Sequence, residues 1–192
     1  MSRTIQWIPR LARSLPTLAA DQPGYDPRGG YWCGAVWAPT DTMILRGLER
    51  YGYDRLARDI ALNHLSCMGE VFKTTGTVWE NYAPDLLAPG KPAKGDFVGW
   101  SGLRPILYLL EFAIGLEPDA PANTLSWRLA SQKETGGYRF NGHLADLRAT
   151  PGDGKWNIRV HFDGEFILKV ALGGSETKVL VHPGTNSFAI PR

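Results

Sequence analysis

The order of its periodicities predicts a chain that is mainly α-helical and ends in a small antiparallel β-unit. Apolar residues recur at helical spacing between residues 38 and 112, and the period falls to two beyond residue 124. The segment PDAPAN, Pro118 to Asn123, separates the two regimes and reads as a linker. On this reading residues 1–123 form one domain and residues 124–192 a second. A length of 192 residues allows one core of ordinary size or two small ones.

The first apolar stretch (Ile5, Ile8, Leu11, Leu15, Leu18) is amphipathic but broken by Pro9 and Pro16. Residues 21–36 are rich in Gly and Pro and form a loop that carries Trp32 and Cys33. A helix is expected over residues 38–51. Pro39 suits its start, Asp41 favours the positive end of its dipole, Gly52 suits a left-handed exit, and Met43, Ile44, Leu48 and Tyr51 supply its apolar stripe. Asp54 can cap a second helix with the stripe Leu56, Ile60, Leu65, Met68 and Phe72, ended by Gly76. A third helix is expected from Ser101 to Phe112, ended by Gly115. Between the second and third, residues 74–99 make a long irregular stretch whose aromatic content argues against disorder.

Beyond the linker, Trp156, Ile158, Val160 and Phe162 alternate with polar residues, and Phe166–Leu172 and Thr177–Val181 continue the pattern. Asn141-Gly142 and Asp163-Gly164 are hairpin signals. The pattern implies an antiparallel unit of about five strands.

Composition excludes several functions. With 21 basic and 19 acidic side chains mixed along the chain, there is no dense positive field of the kind phosphate backbones require, so nucleic acid is not an expected partner. The apolar run Ile106 to Ile114, interrupted by Glu111, is too short to span a bilayer, so no membrane is expected. No charged-then-apolar leader opens the chain, which makes a cytoplasmic location the expectation. Cys33 and Cys67 form no disulfide framework and no metal-ligand spacing. His64, His143, His161 and His182 lack ligand spacing too, so neither a metal nor a cofactor is expected.

The unusual feature is aromatic. Seven Trp residues are many for this length, and Trp32, Trp37, Trp79 and Trp100 fall near Gly, Pro or Asn, where indole rings line grooves. Flat apolar sugar faces stack on such rings, so carbohydrate is the first ligand class to consider. Within this set, Trp79-Glu80-Asn81-Tyr82 is the best site candidate. A carboxyl group flanked by aromatics loses hydration, which suits acid–base work.

Three segments, GGYWCGAVWAPT (Gly29 to Thr40), TGTVWENYAP (Thr75 to Pro84) and FVGWSGLRPI (Phe97 to Ile106), occur in an order and at distances that carry a family resemblance. Together they resemble the C-terminal third of the catalytic domain in glycoside hydrolase family 63 and the related trehalase-like and mannosylglycerate-hydrolase-like enzymes. The resemblance implies the last helices of an (α/α)6 barrel over residues 1–123, and hydrolysis of an α-glycosidic bond with inversion. Such a site has a carboxylic acid that protonates the leaving oxygen and a carboxylate that activates water, roughly 6.5–9.5 Å apart. By resemblance Glu80 is the base, Trp32, Trp37, Trp79 and Trp100 are sugar platforms, and Asn81 and Tyr82 steer the carboxylate or a sugar hydroxyl. Many relatives have Arg, Pro and Asn where this chain has Cys33, Ala35 and Asp41.

The family's acid lies upstream of the GGYW segment, where only Asp21 and Asp26 stand here, in a DQPGYDP loop that does not match it. Asp41, Asp85 and Asp96 read as caps or solvated charges. The expected partners are an oligosaccharide or small α-glycoside, together with a missing barrel half or another copy of the chain. Two other readings stand beside the hydrolase: a non-catalytic carbohydrate-binding or assembly module, and a truncated gene product.

Overall fold

The computed structural model describes residues 15–129, 133–172 and 174–191. The expected amphipathic stretch at the N-terminus therefore lies mostly outside the described residues. The chain divides into two compact units, Met1–Tyr108 and Leu109–Arg192.

The first unit holds three helices: α1 (Ala38–Arg50), α2 (Asp54–Thr75) and α3 (Trp100–Leu107). Helix α1 starts after Trp37 with Pro in its first turn, where a missing N–H costs nothing. Helix α2 ends on Gly76, whose φ of 73° gives the left-handed exit that glycine tolerates best. After α3 the chain winds into a π-helical segment, Tyr108–Ile114, closed by the Gly115 N–H bonding to the Leu110 carbonyl at 2.9 Å.

The faces these helices bury differ from the expected stripes. Helix α1 buries Ala38, Asp41 and Leu45, while Met43 and Tyr51 are exposed. Helix α2 buries Ala57, Ala61, His64, Met68 and Val71 and turns Phe72 outward. Small Ala57 and Ala61 let the helices approach closely, and that face wins over the bulkier one.

The expectation of a mainly α chain, with a partial (α/α)6 barrel followed by a small antiparallel β-sheet, is corrected by the structure. Among the described residues three α-helices, one of them eight residues long, stand against eight strands. Residues 76–99 cannot supply further barrel helices. Pro84, Pro89 and Pro92 remove amide donors there, and Gly90, Gly95 and Gly99 add backbone freedom. From Leu116 onward the chain is committed to strands.

The strands are β1 (Leu116–Asp119), β2 (Thr124–Arg128), β3 (Lys133–Phe140), β4 (His143–Gly152), β5 (Lys155–Phe162), β6 (Phe166–Leu172), β7 (Ser175–Val181) and β8 (Gly184–Pro191). They form two four-stranded sheets, ordered β1-β2-β6-β7 and β3-β4-β5-β8, rather than one small antiparallel sheet. PDAPAN is not a linker: Leu116–Asp119 pairs antiparallel with Thr124–Arg128, so the segment ends one strand and turns into the next. Strands β2 and β6 run parallel.

Asn141-Gly142 does close a hairpin, with φ of 47° and 84° in the turn between β3 and β4. Asp163-Gly164 does not, because β5 and β6 belong to different sheets and the turn carries the chain from one to the other. Strand β5 alternates without fault, burying Trp156, Ile158, Val160 and Phe162. These residues meet Leu125, Trp127, Phe166 and Leu168 in one core shared by the inner faces of both sheets, as in a sandwich.

Trp127 anchors that core. It is fully buried, and its indole N–H donates to the Ile114 carbonyl at 3.0 Å. Trp127→Ala should cost about 3–5 kcal/mol. Urea unfolding followed by circular dichroism reads this as a lower midpoint for the β-rich unit; an unchanged midpoint would remove Trp127 from the core's foundations.

Candidate functional site

Residues 76–99 have no helix or ladder, yet their backbone polar groups are partnered. Val36 and Tyr82 exchange N–H···O bonds at 2.9 and 3.1 Å, which joins the WENY segment to the loop before α1. Further bonds run from the Gly90 N–H to the Asn81 carbonyl at 3.1 Å, from the Lys91 N–H to the Arg28 carbonyl at 2.9 Å, and from the Phe97 N–H to the Val78 carbonyl at 3.0 Å. Gly90 is fixed by crowding: a Cβ there would lie 1.8 Å from Oδ1 of Asn81.

Glu80 sits within this weave at 6% exposure. Its N–H donates to the Lys94 carbonyl at 2.8 Å, and its carbonyl accepts from the Trp100 indole N–H at 3.1 Å and the Ser101 hydroxyl at 2.9 Å. The backbone is thus clamped on both sides. Among the described residues no side chain hydrogen-bonds its carboxylate.

Trp100, which bonds the Glu80 carbonyl, belongs to a cluster of aromatic residues. Trp32 stacks on Trp37 with centroids 4.4 Å apart and planes 6° off parallel, and Tyr31 meets Trp37 edge-on at 4.8 Å. Trp37 lies 6.1 Å from Trp100, which meets Phe97 at 4.7 Å. Trp37 is buried, while Trp32 and Trp100 are 53% and 41% exposed. Their free faces offer flat apolar surface of the kind sugar rings stack on.

The remaining candidates lie elsewhere. The Trp79 indole donates to Oγ1 of Thr75 at 3.0 Å, and its ring packs on the small core of Val36, Met68, Val71 and Tyr82. The Tyr82 hydroxyl accepts the Trp79 backbone N–H at 3.2 Å. Asn81 is fully buried and donates to the Pro92 carbonyl at 3.2 Å, and its Oδ1 has no partner among the described residues. Asp85 accepts the Tyr25 hydroxyl at 2.8 Å, and burial together with that carboxylate raises the phenol's pKa. Asp96 pairs with Thr77. Cys33 and Cys67 are not joined in a disulfide. Among the described residues no group of His, Cys, Asp and Glu could hold a metal ion, and no helix is long and apolar enough to cross a membrane.

Sequence reasoning missed a buried polar node between the helices. Asp41 on α1, His64 on α2 and Arg104 on α3 are all at most 2% exposed. A guanidinium nitrogen of Arg104 lies 3.8 Å from Oδ2 of Asp41, close enough for attraction and too far for a hydrogen bond. Another donates to Nε2 of His64, whose Nδ1 lies 3.9 Å from the same Oδ2. Tyr82 and Tyr108 meet the imidazole edge-on, each at 5.9 Å.

Burial pushes the Asp41 pKa up to about 7, against the opposing pull of Arg104 and the Leu15 backbone. Burial and the guanidinium together push His64 well below its usual range, so it is neutral and accepts from Arg104. Asp41 has no solvent access and cannot protonate a substrate. No local signal in the sequence marks it: Asp41 stands between Thr40 and Thr42, and only the packing of the helices brings the three groups together.

With this geometry in place, comparison with known proteins supplies a family context. Residues 7–101 match the family described as mannosylglycerate hydrolase MGH1-like glycoside hydrolase domain. An uncharacterised protein of Borreliella burgdorferi is 22% identical over 182 residues, 88% of this chain and 38% of that protein. Mannosylglycerate hydrolases MGH1 and MGH2 of Selaginella moellendorffii are each 28% identical over 112 residues, 58% of this chain and 21% of theirs. No solved structure matches the chain. The matched segment is similar to glycoside hydrolase domains of the mannosylglycerate hydrolase type, and the chain spans well under half the length of these relatives.

The node has a proton signature. Asp41 has a folded pKa above its unfolded value near 3.8, so its contribution to stability is complete below that value and is lost as pH rises through about 7. His64 has a folded pKa below 6.5, so its contribution is complete above 6.5 and is lost as pH falls through the folded value. Between about pH 4 and 6.5 the two slopes oppose each other. Asp41→Asn leaves the His64 slope alone, so stability should rise with pH across that window; His64→Gln leaves the Asp41 slope, so stability should fall toward neutrality. Urea midpoints at pH 4.5, 5.5, 6.5 and 7.5 check this, and two variants with the same slope would refute it.

Proposed function

We propose, from the similarity of residues 7–101 to glycoside hydrolase domains of the mannosylglycerate hydrolase type, that this chain supplies the water-activating side of an inverting α-glycosidase site with Glu80 as general base. The single observation that carries the reading is the setting of Glu80. It is nearly buried, clamped through its backbone by Trp100 and Ser101, and joined through Trp100 to the Trp37–Trp32 stack, while its carboxylate is left unbonded among the described residues. In this reading the exposed faces of Trp32 and Trp100 stack on the sugar, Trp37 supports Trp32 from beneath, and Glu80 takes the proton from the attacking water. Asn81, Tyr82 and Trp79 brace the loop that carries it. The substrate class is an α-glucoside or α-mannoside, as the resemblance to family 63 and to mannosylglycerate hydrolases implies, with mannosylglycerate the first compound to test.

An inverting site also needs an acid. Asp41 has no access to solvent, Asp85 is held by Tyr25, and Asp96 is held by Thr77. The reading therefore takes the acid from a segment outside the described residues or from another chain. Several apolar side chains on α1 and α3 face solvent, including Met43, Leu103 and Ile106, and give such a segment a surface to cover.

A second reading has its own support. The half-exposed indoles alone suffice for a carbohydrate-binding module without chemistry.

The test measures mannosylglycerate hydrolysis by the longest natural form of the protein, with the anomer first released followed by NMR. An α-substrate should give the β-sugar first. Glu80→Gln should lower turnover about 10²–10⁴-fold with sugar affinity little changed. The α-sugar appearing first, or near-parental turnover in the variant, would overturn the base assignment. Binding without hydrolysis leaves the module reading in possession.

A further inference from the structure

We propose that the buried Asp41–Arg104 pair, with His64 as its third member, is a positioning device that sets the spacing of the indole rings of Trp32, Trp37 and Trp100. This rests on the reading of those rings as a sugar platform. The geometry leads from the pair to the rings in one helical turn on each side. On α1, the Asp41 N–H bonds to the Trp37 carbonyl at 3.1 Å, so the carboxylate stands one turn beyond the ring that supports Trp32. On α3, Arg104 follows Trp100 by four residues and Ser101 by three, and the side chains of both donate to the Glu80 carbonyl. A tie between Asp41 and Arg104 therefore links the turn that carries Trp37 to the turn that carries Trp100. It fixes the 6.1 Å separation of those rings and, through the Trp32–Trp37 stack, the gap between the two exposed indoles. His64, on α2, holds the guanidinium in place by accepting one of its N–H groups.

Stability alone gives no reason for such a node. Placing a carboxylate and a guanidinium out of water costs more than a 3.8 Å attraction without hydrogen bonds returns, and apolar replacements of similar size hold helices together as well or better. Apolar contacts tolerate sliding between helices, whereas a buried charge pair accepts one register. That register is what a stacking platform requires, because a shift of about 1 Å in a positioned group is already felt in binding and catalysis.

The experiment compares the parent with Asp41→Asn, Arg104→Met and the double variant. It reads urea midpoint, near-ultraviolet circular dichroism of the indoles and affinity for mannosylglycerate. The single variants should lose midpoint, lose much of the indole signal and bind about tenfold more weakly while keeping their far-ultraviolet spectrum. The double variant has no unpaired buried charge, so its midpoint should recover, but its indole signal and affinity should stay displaced. Arg104→Lys, which keeps the charge without the fork, should recover part of both.

A double variant that recovers indole signal and affinity together with midpoint would reduce the pair to a structural role and overturn the proposal, as would single variants with parental spectra and affinity. If the single variants do not fold, the double variant decides alone. If the parent binds no mannosylglycerate, the sugar reading is what fails, and the ligand-free indole spectrum still judges the positioning claim.

Discussion

The first unit depends on how the backbone between Gly76 and Gly99 is satisfied. A segment of that length without helix or ladder would be untenable if its amides and carbonyls were buried unpaired. It holds because other loops supply the partners: the strip before α1 pairs with Tyr82, Arg28 takes the Lys91 amide, and Trp100 and Ser101 together take the Glu80 carbonyl. Each partner fixes a point on the loop, so the loop is as rigid as the elements that carry its partners. Glu80 inherits that rigidity. Its carboxylate is positioned by main-chain bonds on either side, with no help from Asn81 or Tyr82, whose polar groups are turned to Pro92 and Trp79. The same economy explains the crowding at Gly90, where Asn81 occupies the space a side chain would fill.

The helices meet on polar ground. Asp41, His64 and Arg104 each lie on the face of their helix that packs inward, where an apolar residue would be ordinary. Burial works against the charge on every one of them, raising the pKa of the acid and lowering those of the imidazole and guanidinium. Neutral His64 relieves one guanidinium nitrogen, and Asp41 offsets the charge from a distance at which no hydrogen bond forms. The node is therefore directional but poorly compensated, a combination that costs stability and constrains geometry.

How much was legible in the sequence differs between the two units for a physical reason. In the sandwich, side chains obey a period of two and each strand reports its own buried face, so Trp156, Ile158, Val160 and Phe162 could be read in place and Asn141-Gly142 announced its turn. Sheet membership is a long-range property. Asp163-Gly164 looked like a hairpin and instead carries the chain between sheets, and the parallel pairing of β2 with β6 has no local signature. In the helical unit the bulky stripes misled, because Ala57 and Ala61 determine the packing face of α2 and leave Phe72 outside. The grouping of Trp32, Trp37 and Trp100 was legible because aromatic residues on Gly-bounded loops tend to gather, although Trp79, on the same kind of loop, packs into a small core instead. Arg104 was not, since nothing in the string SGLRPI says that its arginine turns inward.

The positions that break local rules lie close to one another in the chain's logic. Asp41 is a carboxylate on a core-facing turn, Arg104 a guanidinium without hydrogen bonds at Nε and one Nη, Asn81 a buried amide with an idle oxygen, and Glu80 an acidic residue at 6% exposure. Each would be removed by a design rule that seeks only stability. Three of the four belong to segments joined by the Glu80 backbone bonds or by the helix turns that carry Trp37 and Trp100, and Asn81 follows Glu80 directly. The sandwich core, among the described residues, is built from apolar side chains, and its buried indole at Trp127 is hydrogen-bonded. Costs concentrated around one loop of the first unit mark where the fold gives up stability for geometry.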